Sequence, residues 1–255
     1  KSRIYINLII TFKLLKFLFF DHNKIIIFSF QSHLPAIFLA KLFNKKIIIR
    51  NSEEIFGATN YADNKLLAAL VLFLKFIFYN LTDKIVAISK KSKNSLEKIL
   101  INKQKVKLIY NPYLSNNRSF GVKEKKHKKF DILCAGRLTK QKNFSLAIKA
   151  VNDLAYKHPN IKLTLIGNGP LKKELKKLAG NNVKFVDWKP NIKKYFLSTK
   201  LFILPSYYEG LPNILIEAAY YNVPSISTDC SGAKDILLNN KGGYLIPIKN
   251  RCHRY

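Results

Sequence analysis

Short runs of apolar, often β-branched residues alternate along this chain with longer stretches whose apolar positions recur at a helical period. Such runs are typical of strands buried on both faces of a parallel sheet, and the stretches between them predict the covering helices. The polar segment NSEEIFGATN, residues 51–60, is predicted as turns. In the first half the pattern predicts strand Ile25–Phe28, helix Leu34–Phe43, strand Lys46–Arg50, helix Lys65–Asn80, strand Lys84–Ala87, helix Ser89–Ile101 and strand Val106–Ile109.

The alternation stops at residues 111–129 and then restarts. That stretch, NPYLSNNRSFGVKEKKHKK, is rich in Asn, Pro and charge without an amphipathic period, which favours a linker. Beyond it the pattern predicts strand Phe130–Cys134, helix Phe144–Lys157, strand Lys162–Ile166, helix Leu171–Leu178, strand Val183–Val186, helix Ile192–Leu197, strand Leu201–Leu204, helix Asn213–Tyr221 and strand Ser225–Ser227. The whole predicts an α/β protein with two doubly wound, parallel-sheet domains (residues 1–112 and 130–255), a linker (113–129) and a ligand cleft between the domains.

Two long apolar runs stand apart from the strands. Leu8–Phe20 is interrupted by Lys13 and Lys16 and lacks the cleavage site of a secretory signal. Leu66–Leu81 contains Lys75 and is too short to span a bilayer comfortably. We expect each run to form either a core helix or a helix that lies on a membrane surface.

The amino-acid composition limits the classes of binding partner that this chain can be expected to have. The net charge is +30, but only six of the 45 basic residues are arginine, so the arginine forks that read bases are scarce and no nucleic-acid partner is predicted. A basic surface still attracts nucleotide phosphates and anionic lipids. Three cysteines without a CxxC pair indicate a reducing compartment, and neither they nor the five histidines have metal-ligand spacing. Because the sequence begins at Lys1, lacks methionine and ends irregularly, we expect a fragment truncated at both ends.

Two loops that follow predicted strands in the second domain carry candidate chemistry. The loop AGRLTKQKN places Arg137 and Lys142 around a turn, where two cations can straddle a diphosphate. Taken alone, this loop is better explained as an ordinary solvated basic loop. In the next loop, GNGP, Gly167 and Gly169 allow the backbone to approach a ligand, although an ordinary tight turn has the same glycines.

The third loop is the most specific. In SYYEGLPNILIEAA, residues 206–219, a turn with Glu209 leads to Pro212, where a helix begins, and the first turn of that helix offers free N–H groups to a phosphate. Glu217 lies among apolar neighbours of this helix, and a carboxylate in that setting needs a partner. The paired hydroxyls of a ribose are one candidate for Glu217, and Glu209 would then face a sugar beyond the diphosphate. The alternative is a helix cap and a solvated helix face.

These three loops together resemble those of the family 4 retaining glycosyltransferases, also called glycosyltransferase group 1, which have the two-domain GT-B fold. The segment STDCSGAKDIL after the last helix, and VAISKKSKNSLEKIL and VKLIYNPY in the first domain, are also similar to that family. The resemblance implies transfer of a hexose or N-acetylhexosamine from a nucleotide sugar, most often a UDP-sugar. It further implies a lipid-linked or cell-surface glycan acceptor, retention at the anomeric carbon and no metal cofactor.

The resemblance also implies roles for individual residues. Arg137 and Lys142 are the ligands of the donor diphosphate, Glu217 binds the ribose, and Glu209 contacts the transferred sugar; Glu209, Arg137 and Lys142 are therefore the expected catalytic residues. Backbone groups complete the predicted donor site at Gly136, Gly167, Gly169, Gly210 and Leu211.

The resemblance suggests a cytoplasmic location, peripheral on the inner membrane. Residues near Lys13, Lys16, Phe17 and Phe20 are the candidates for membrane contact, although such aromatic residues are more often core. The alternative to an active enzyme is an inactive, truncated homologue that binds only nucleotide or a membrane surface.

Overall fold

The computed structural model of the chain describes residues 3–20, 23–112, 130–238 and 242–248. The backbone contacts divide the chain into two compact units, Lys1–Asn111 and Pro112–Tyr255. The predicted first domain ends at residue 112, one residue beyond this division, and the predicted linker 113–129 lies outside the described residues. The predicted cleft between the two domains stays a prediction.

The first unit contains a four-stranded parallel sheet in which each strand pairs with the next one along the chain, in the order β1-β2-β3-β4. Its strands are β1 Ile26–Ser29, β2 Lys46–Asn51, β3 Lys84–Ala87 and β4 Val106–Leu108. Its helices are α1 Arg3–Phe20, α2 His33–Leu42, α3 Ile55–Asn60, α4 Lys65–Asn80 and α5 Lys90–Ile99, with a 3₁₀ turn at Lys103–Lys105. All four predicted strands and all three predicted helices of this half are confirmed, with ends shifted by one or two residues.

The segment predicted as turns, residues 51–60, is the part of the first unit where the prediction was wrong. It contains helix α3, whose first turn donates two backbone N–H groups to the side chain of Glu54. The Ser95 hydroxyl donates to the same carboxylate at 2.6 Å. Glu54 is 5% exposed, so a buried cap stabilises a helix that the polar sequence does not suggest.

The second unit contains a six-stranded parallel sheet in the order β10-β9-β8-β5-β6-β7. Its strands are β5 Phe130–Ala135, β6 Leu163–Ile166, β7 Val183–Val186, β8 Thr199–Leu204, β9 Ser225–Thr228 and β10 Tyr244–Ile246. Its helices are α6 Phe144–Ala155, α7 Lys172–Leu178, α8 Lys193–Leu197, α9 Asn213–Tyr220 and α10 Ala233–Ile236, with a 3₁₀ turn at Lys140–Lys142. The sequence pattern predicts all of these except three short elements, which are α10, β10 and the 3₁₀ turn. The strand order reverses between β5 and β8, and ligands of open α/β sheets bind beyond the carboxyl ends of the strands at such a point.

Helices α1 and α4 of the first unit are apolar and yet largely exposed. On α1, Phe17 is 53% and Phe20 71% exposed, so the expectation that these rings belong to a core is wrong; Leu18 between them is buried. On α4, Leu66 is 83% exposed. Across the described ranges, no helix has both the length and the hydropathy needed to cross a bilayer. Helix α4 nevertheless belongs in part to the core of the first unit, because Tyr79 is buried there and Leu72 and Phe78 pack against that core. The membrane-surface alternative stays a prediction.

Candidate active site

A cavity of about 360 Å³ lies in the second unit, beside the point where the strand order reverses. The loops after β5, β7 and β8 and the first half of α9 line it. Six residues of the predicted donor site contribute to its wall: Gly136, Arg137, Lys142, Glu209, Leu211 and Glu217. Three others, Gly167, Gly169 and Gly210, do not line this cavity. The structure thus brings together the predicted charged residues, from two loops and a helix that are distant in sequence.

An ion pair joins the two central loops of the cavity. The Nζ atom of Lys142, after β5, donates to Oε1 of Glu209, after β8, at 2.6 Å. The Ser206 hydroxyl donates to the same oxygen at 2.7 Å. The side chains of Lys142 and Glu209 are only 18% and 10% exposed, so water screens this pair weakly. The pair fixes both charges at the cavity wall.

Gln141 provides a second link between the same loops. Its side-chain amide donates to the backbone carbonyl oxygen of Tyr208 at 2.9 Å, and the backbone carbonyl oxygen of Gln141 accepts the backbone N–H of Tyr207 at 2.9 Å. Gln141 directly precedes Lys142, and Tyr208 directly precedes Glu209, so both hydrogen bonds are made next to the ion pair. The loops after β5 and β8 are therefore held in register before any ligand is bound.

Arg137 and Glu217 lie on the cavity wall in different settings. Arg137 is exposed, so its side chain is accessible to a charged ligand that enters from solvent. Glu217 is half-buried on α9, with Leu215 and Ala218 beside it fully buried in the core. Helix α9 begins after Pro212, and Asn213 and Ile214 of its first turn also line the cavity, so the positive end of the helix dipole lies near the space that a phosphate would occupy.

The glycines of the GNGP loop have a packing role that the sequence does not reveal. Gly167 has a φ angle of +152°, and a Cβ atom there would lie 1.9 Å from the carbonyl oxygen of Gly136. At Gly169 a Cβ atom would lie 2.4 Å from the carbonyl oxygen of Leu138. Both glycines allow the loop after β6 to pack against the loop after β5. The predicted contact of these two glycines with a ligand stays a prediction.

The loop after β7 is the part of the site that the sequence analysis missed. Trp188, Lys189 and Pro190 line the cavity, and Trp188 is 64% exposed. This loop follows a strand of the same parallel sheet as the other three, which is the signal that would have identified it. Ser206, which begins the loop that carries Glu209, was likewise not predicted as a site residue.

A buried thiol lies behind the acidic side of the cavity. Burial, followed by the negative charge of Glu209, raises the pKa of Cys230 to about 12. The thiol therefore stays protonated at neutral pH and is a poor nucleophile. Within the described ranges, no cluster of three or more His, Cys, Asp or Glu side chains is arranged to hold a metal ion.

Comparison with known proteins places this geometry in a family. The family model described as glycosyl transferases group 1 matches residues 115–252. An uncharacterized glycosyltransferase of Methanocaldococcus jannaschii is 32% identical over 230 residues, which cover 81% of this chain and 55% of that protein. The GalNAc-α-(1→4)-GalNAc-α-(1→3)-diNAcBac-PP-undecaprenol α-1,4-N-acetyl-D-galactosaminyltransferase of Campylobacter jejuni is 32% identical over 180 residues, covering 68% of this chain and 49% of that protein. The chain thus spans about half the length of these two relatives.

A solved structure supports the fold independently. Anabaena HepE in complex with UDP-glucose superimposes with a TM-score of 0.74, covering 94% of this chain and 68% of that one, at 14% sequence identity. At that identity the likeness shows the fold alone, which is the GT-B fold that the sequence resemblance implies. The match of the family model covers more than half of the chain, including every residue that lines the cavity. This chain belongs to the glycosyl transferases group 1 family.

Proposed function

We propose that the chain transfers a hexose or N-acetylhexosamine from a nucleotide sugar, a UDP-sugar, to a lipid-linked or cell-surface glycan with retention at the anomeric carbon. The observation that carries the proposal is the convergence of Arg137, Lys142, Glu209 and Glu217 on one cavity at the reversal of strand order. Family membership supports glycosyl transfer, and the Anabaena complex shows that a protein of this fold binds UDP-glucose.

In this proposal the diphosphate lies between the loop after β5 and the start of α9. Arg137 can bind it through two parallel hydrogen bonds, and Lys142 adds a second positive charge. The N–H groups in the first turn of α9 contribute further donors. The Glu217 carboxylate, within one turn of that site, accepts the two hydroxyls of the ribose. Each group is thus assigned the part of the donor that matches its charge.

The chemical step breaks the bond between the anomeric carbon and the diphosphate oxygen while an acceptor hydroxyl forms the new bond and gives its proton to the departing diphosphate oxygen. Negative charge grows on the leaving diphosphate, and Arg137 and Lys142 stabilise it in position. Because Lys142 and Ser206 both bind Oε1 of Glu209, we assign contact with the transferred sugar to Oε2. The backbone amides of Gly210 and Leu211 would contact the sugar and phosphates, and the proposal assigns no metal cofactor.

The proposed acceptor places the protein at the cytoplasmic face of a membrane. The Campylobacter relative is named for an undecaprenol-linked substrate, and lipid-linked substrates of this kind are held in a bilayer. Phe17 and Phe20 of α1 are exposed beside Lys13 and Lys16, so this helix presents both aromatic rings and positive charge to anionic lipid. Peripheral contact through α1 is therefore part of the proposal.

Calorimetric titration with UDP and a panel of UDP-sugars, without added metal, tests the proposal. We expect binding of UDP and of one or more UDP-sugars, and weaker binding of both after Arg137→Ala. Lys140→Ala is the matched control, because it removes a charge from the same loop without altering a residue that lines the cavity. A folded chain that binds none of these ligands would refute the donor site. Binding without transfer to any acceptor would instead identify an inactive nucleotide-binding homologue.

A further inference from the structure

Two cavities of the first unit share one side chain. A polar cavity of about 550 Å³ lies at the carboxyl ends of β1 and β2, where His33, Asn51 and Tyr79 line it. An apolar groove of about 280 Å³ runs between α4 and the end of α3. Lys75, half-buried on α4, lines both of them. Within the described part of the chain, it is the only lysine or arginine on either wall.

The shared wall is one face of α4. Ala68 and Leu72 line the apolar groove, Lys75 follows at the boundary, and Tyr79 lines the polar cavity. The spacing of four, three and four residues places these side chains on a single face of the helix. At 1.5 Å per residue, Lys75 lies about 10 Å along the helix from Ala68 and about 6 Å from Tyr79. A ligand bound along this face would contact the apolar groove at one end, the positive charge of Lys75 in the middle and the polar cavity at the other end.

The polar cavity, whose wall includes the Glu53 carboxylate as well as neutral polar groups, suits a ligand with many hydroxyl groups. The Asn51 amide donates to the carbonyl oxygen of Glu53 at 2.5 Å, and the buried Tyr79 hydroxyl donates to Asn51 Oδ1 at 3.4 Å, so these polar groups are held in place. Burial, followed by the charge of Lys75, lowers the pKa of His33 to about 4, and its ring is therefore neutral at neutral pH. The effect of Lys75 on His33 also indicates that the ammonium group is close to this cavity.

The apolar groove suits a hydrocarbon chain. Besides Ala68 and Leu72, its wall includes Leu67, which is 56% exposed, and Val71, which is 37% exposed. Covering these surfaces with hydrocarbon would remove apolar area from water, at about 25 cal/mol for each Å². The ligand that fits the whole face has a hydrocarbon chain, a negative group next to it and then a sugar.

We propose that the α4 face binds a polyisoprenyl diphosphate-linked sugar, with the chain in the apolar groove, the diphosphate at Lys75 and the first sugar in the polar cavity. The inference deepens the proposed function, on which it rests for the assumption that the acceptor is lipid-linked. It names the acceptor's chemical class and a specificity-determining residue. Lys75 acts as a point charge toward the phosphate, while the groove distinguishes a lipid diphosphate from a free one.

Equilibrium binding of farnesyl diphosphate to the full chain tests this assignment, with the donor site first saturated with UDP. We expect Lys75→Gln to weaken the binding of farnesyl diphosphate about tenfold, because one charge-assisted contact is lost. Lys65→Gln, which removes a charge from the same helix outside both cavity walls, should leave the affinity unchanged. Leu67→Gln changes an exposed position of the groove. It should weaken the binding of farnesyl diphosphate several-fold and leave the weak binding of inorganic diphosphate unchanged.

The outcomes separate this inference from the proposed function. Equal affinities in the wild type and in Lys75→Gln, or equal losses in Lys75→Gln and Lys65→Gln, would overturn the assignment. Inorganic diphosphate binding as tightly as farnesyl diphosphate would also overturn it, because the groove would then contribute nothing. Failure of the proposed function appears separately, as absence of UDP binding in the first saturation step.

Discussion

Removing the ammonium group of Lys142 will leave the Glu209 carboxylate in a place where water screens it poorly. The two groups are 2.6 Å apart and their side chains are 18% and 10% exposed. At an effective dielectric constant of about 20, this separation corresponds to about 6 kcal/mol of attraction before the desolvation cost of both ions is subtracted. We therefore expect a net coupling of about 1–3 kcal/mol in a double-mutant cycle.

The cycle consists of Lys142→Met, Glu209→Gln and the double variant. Lys142→Met should lower the free energy of unfolding of the second unit by about 2 kcal/mol, because it strands a buried charge. The double variant should be more stable than the sum of the two single changes indicates. Urea unfolding can be followed through Trp188, the only tryptophan of the chain, which lies on the wall of the same cavity.

A second ion pair of the same unit is the control. Lys200 and Asp131 are also 2.6 Å apart, but their side chains are 57% and 26% exposed. Because exposed pairs couple by about 0.2–1 kcal/mol, the cycle at Lys200 and Asp131 should give a clearly smaller value. Equal coupling energies in the two cycles would refute the reasoning, since burial and not distance is the proposed cause of the difference.

Three further predictions concern the donor site, a glycine and a histidine. Glu217→Ala should weaken the binding of a UDP-sugar, and Arg137→Ala should weaken the binding of both the UDP-sugar and free UDP. Calorimetry measures both affinities, and unchanged affinity in both variants would refute the site assignment. Gly167→Ala should destabilise the second unit by several kcal/mol, because its Cβ would overlap a backbone oxygen at 1.9 Å. Gly180→Ala, which meets only a side-chain oxygen at 2.9 Å, should cost much less in the same unfolding assay. Because folding lowers the pKa of His33 to about 4, its contribution to stability is present above pH 6.5 and is lost as pH falls toward 4, and His33→Asn should flatten the pH dependence of unfolding across that window.

Much of the fold follows from the sequence, because long apolar strands and periodic helices are local signals. Helix α4 was predicted with its observed bounds, and the strand order, which sequence periodicity does not encode, came only with the structure. Helix α3 was missed because its stability depends on the buried Glu54 cap and on Ser95, a partner 41 residues away. The exposure of α1 was left open at the sequence level, because an apolar run is compatible both with a core helix and with a helix on a membrane surface.

The charged part of the candidate site was predictable for a different reason. Arg137, Lys142 and Glu209 follow strands of one parallel sheet, whose carboxyl ends meet at one edge. The same reasoning, applied to the strand before Trp188, predicts that this residue also lies at the site. It was missed because its loop contains no recognisable motif. The packing role of Gly167 was hidden because the oxygen that requires it belongs to a loop some 30 residues earlier.

The different strand orders of the two sheets have a consequence for how the chain folds during synthesis. In the first unit β1 pairs with β2 about 20 residues later, so the sheet can grow one strand at a time as the chain emerges. In the second unit β5 must remain without one neighbour until β8 is made, and Asp131 meets Lys200 across 69 residues. Closing so long a loop is slow and costs entropy before the contacts repay it. Since the Lys142–Glu209 pair spans the same seam, the donor cavity can form only once β8 has docked, and it therefore forms later than the sheet of the first unit.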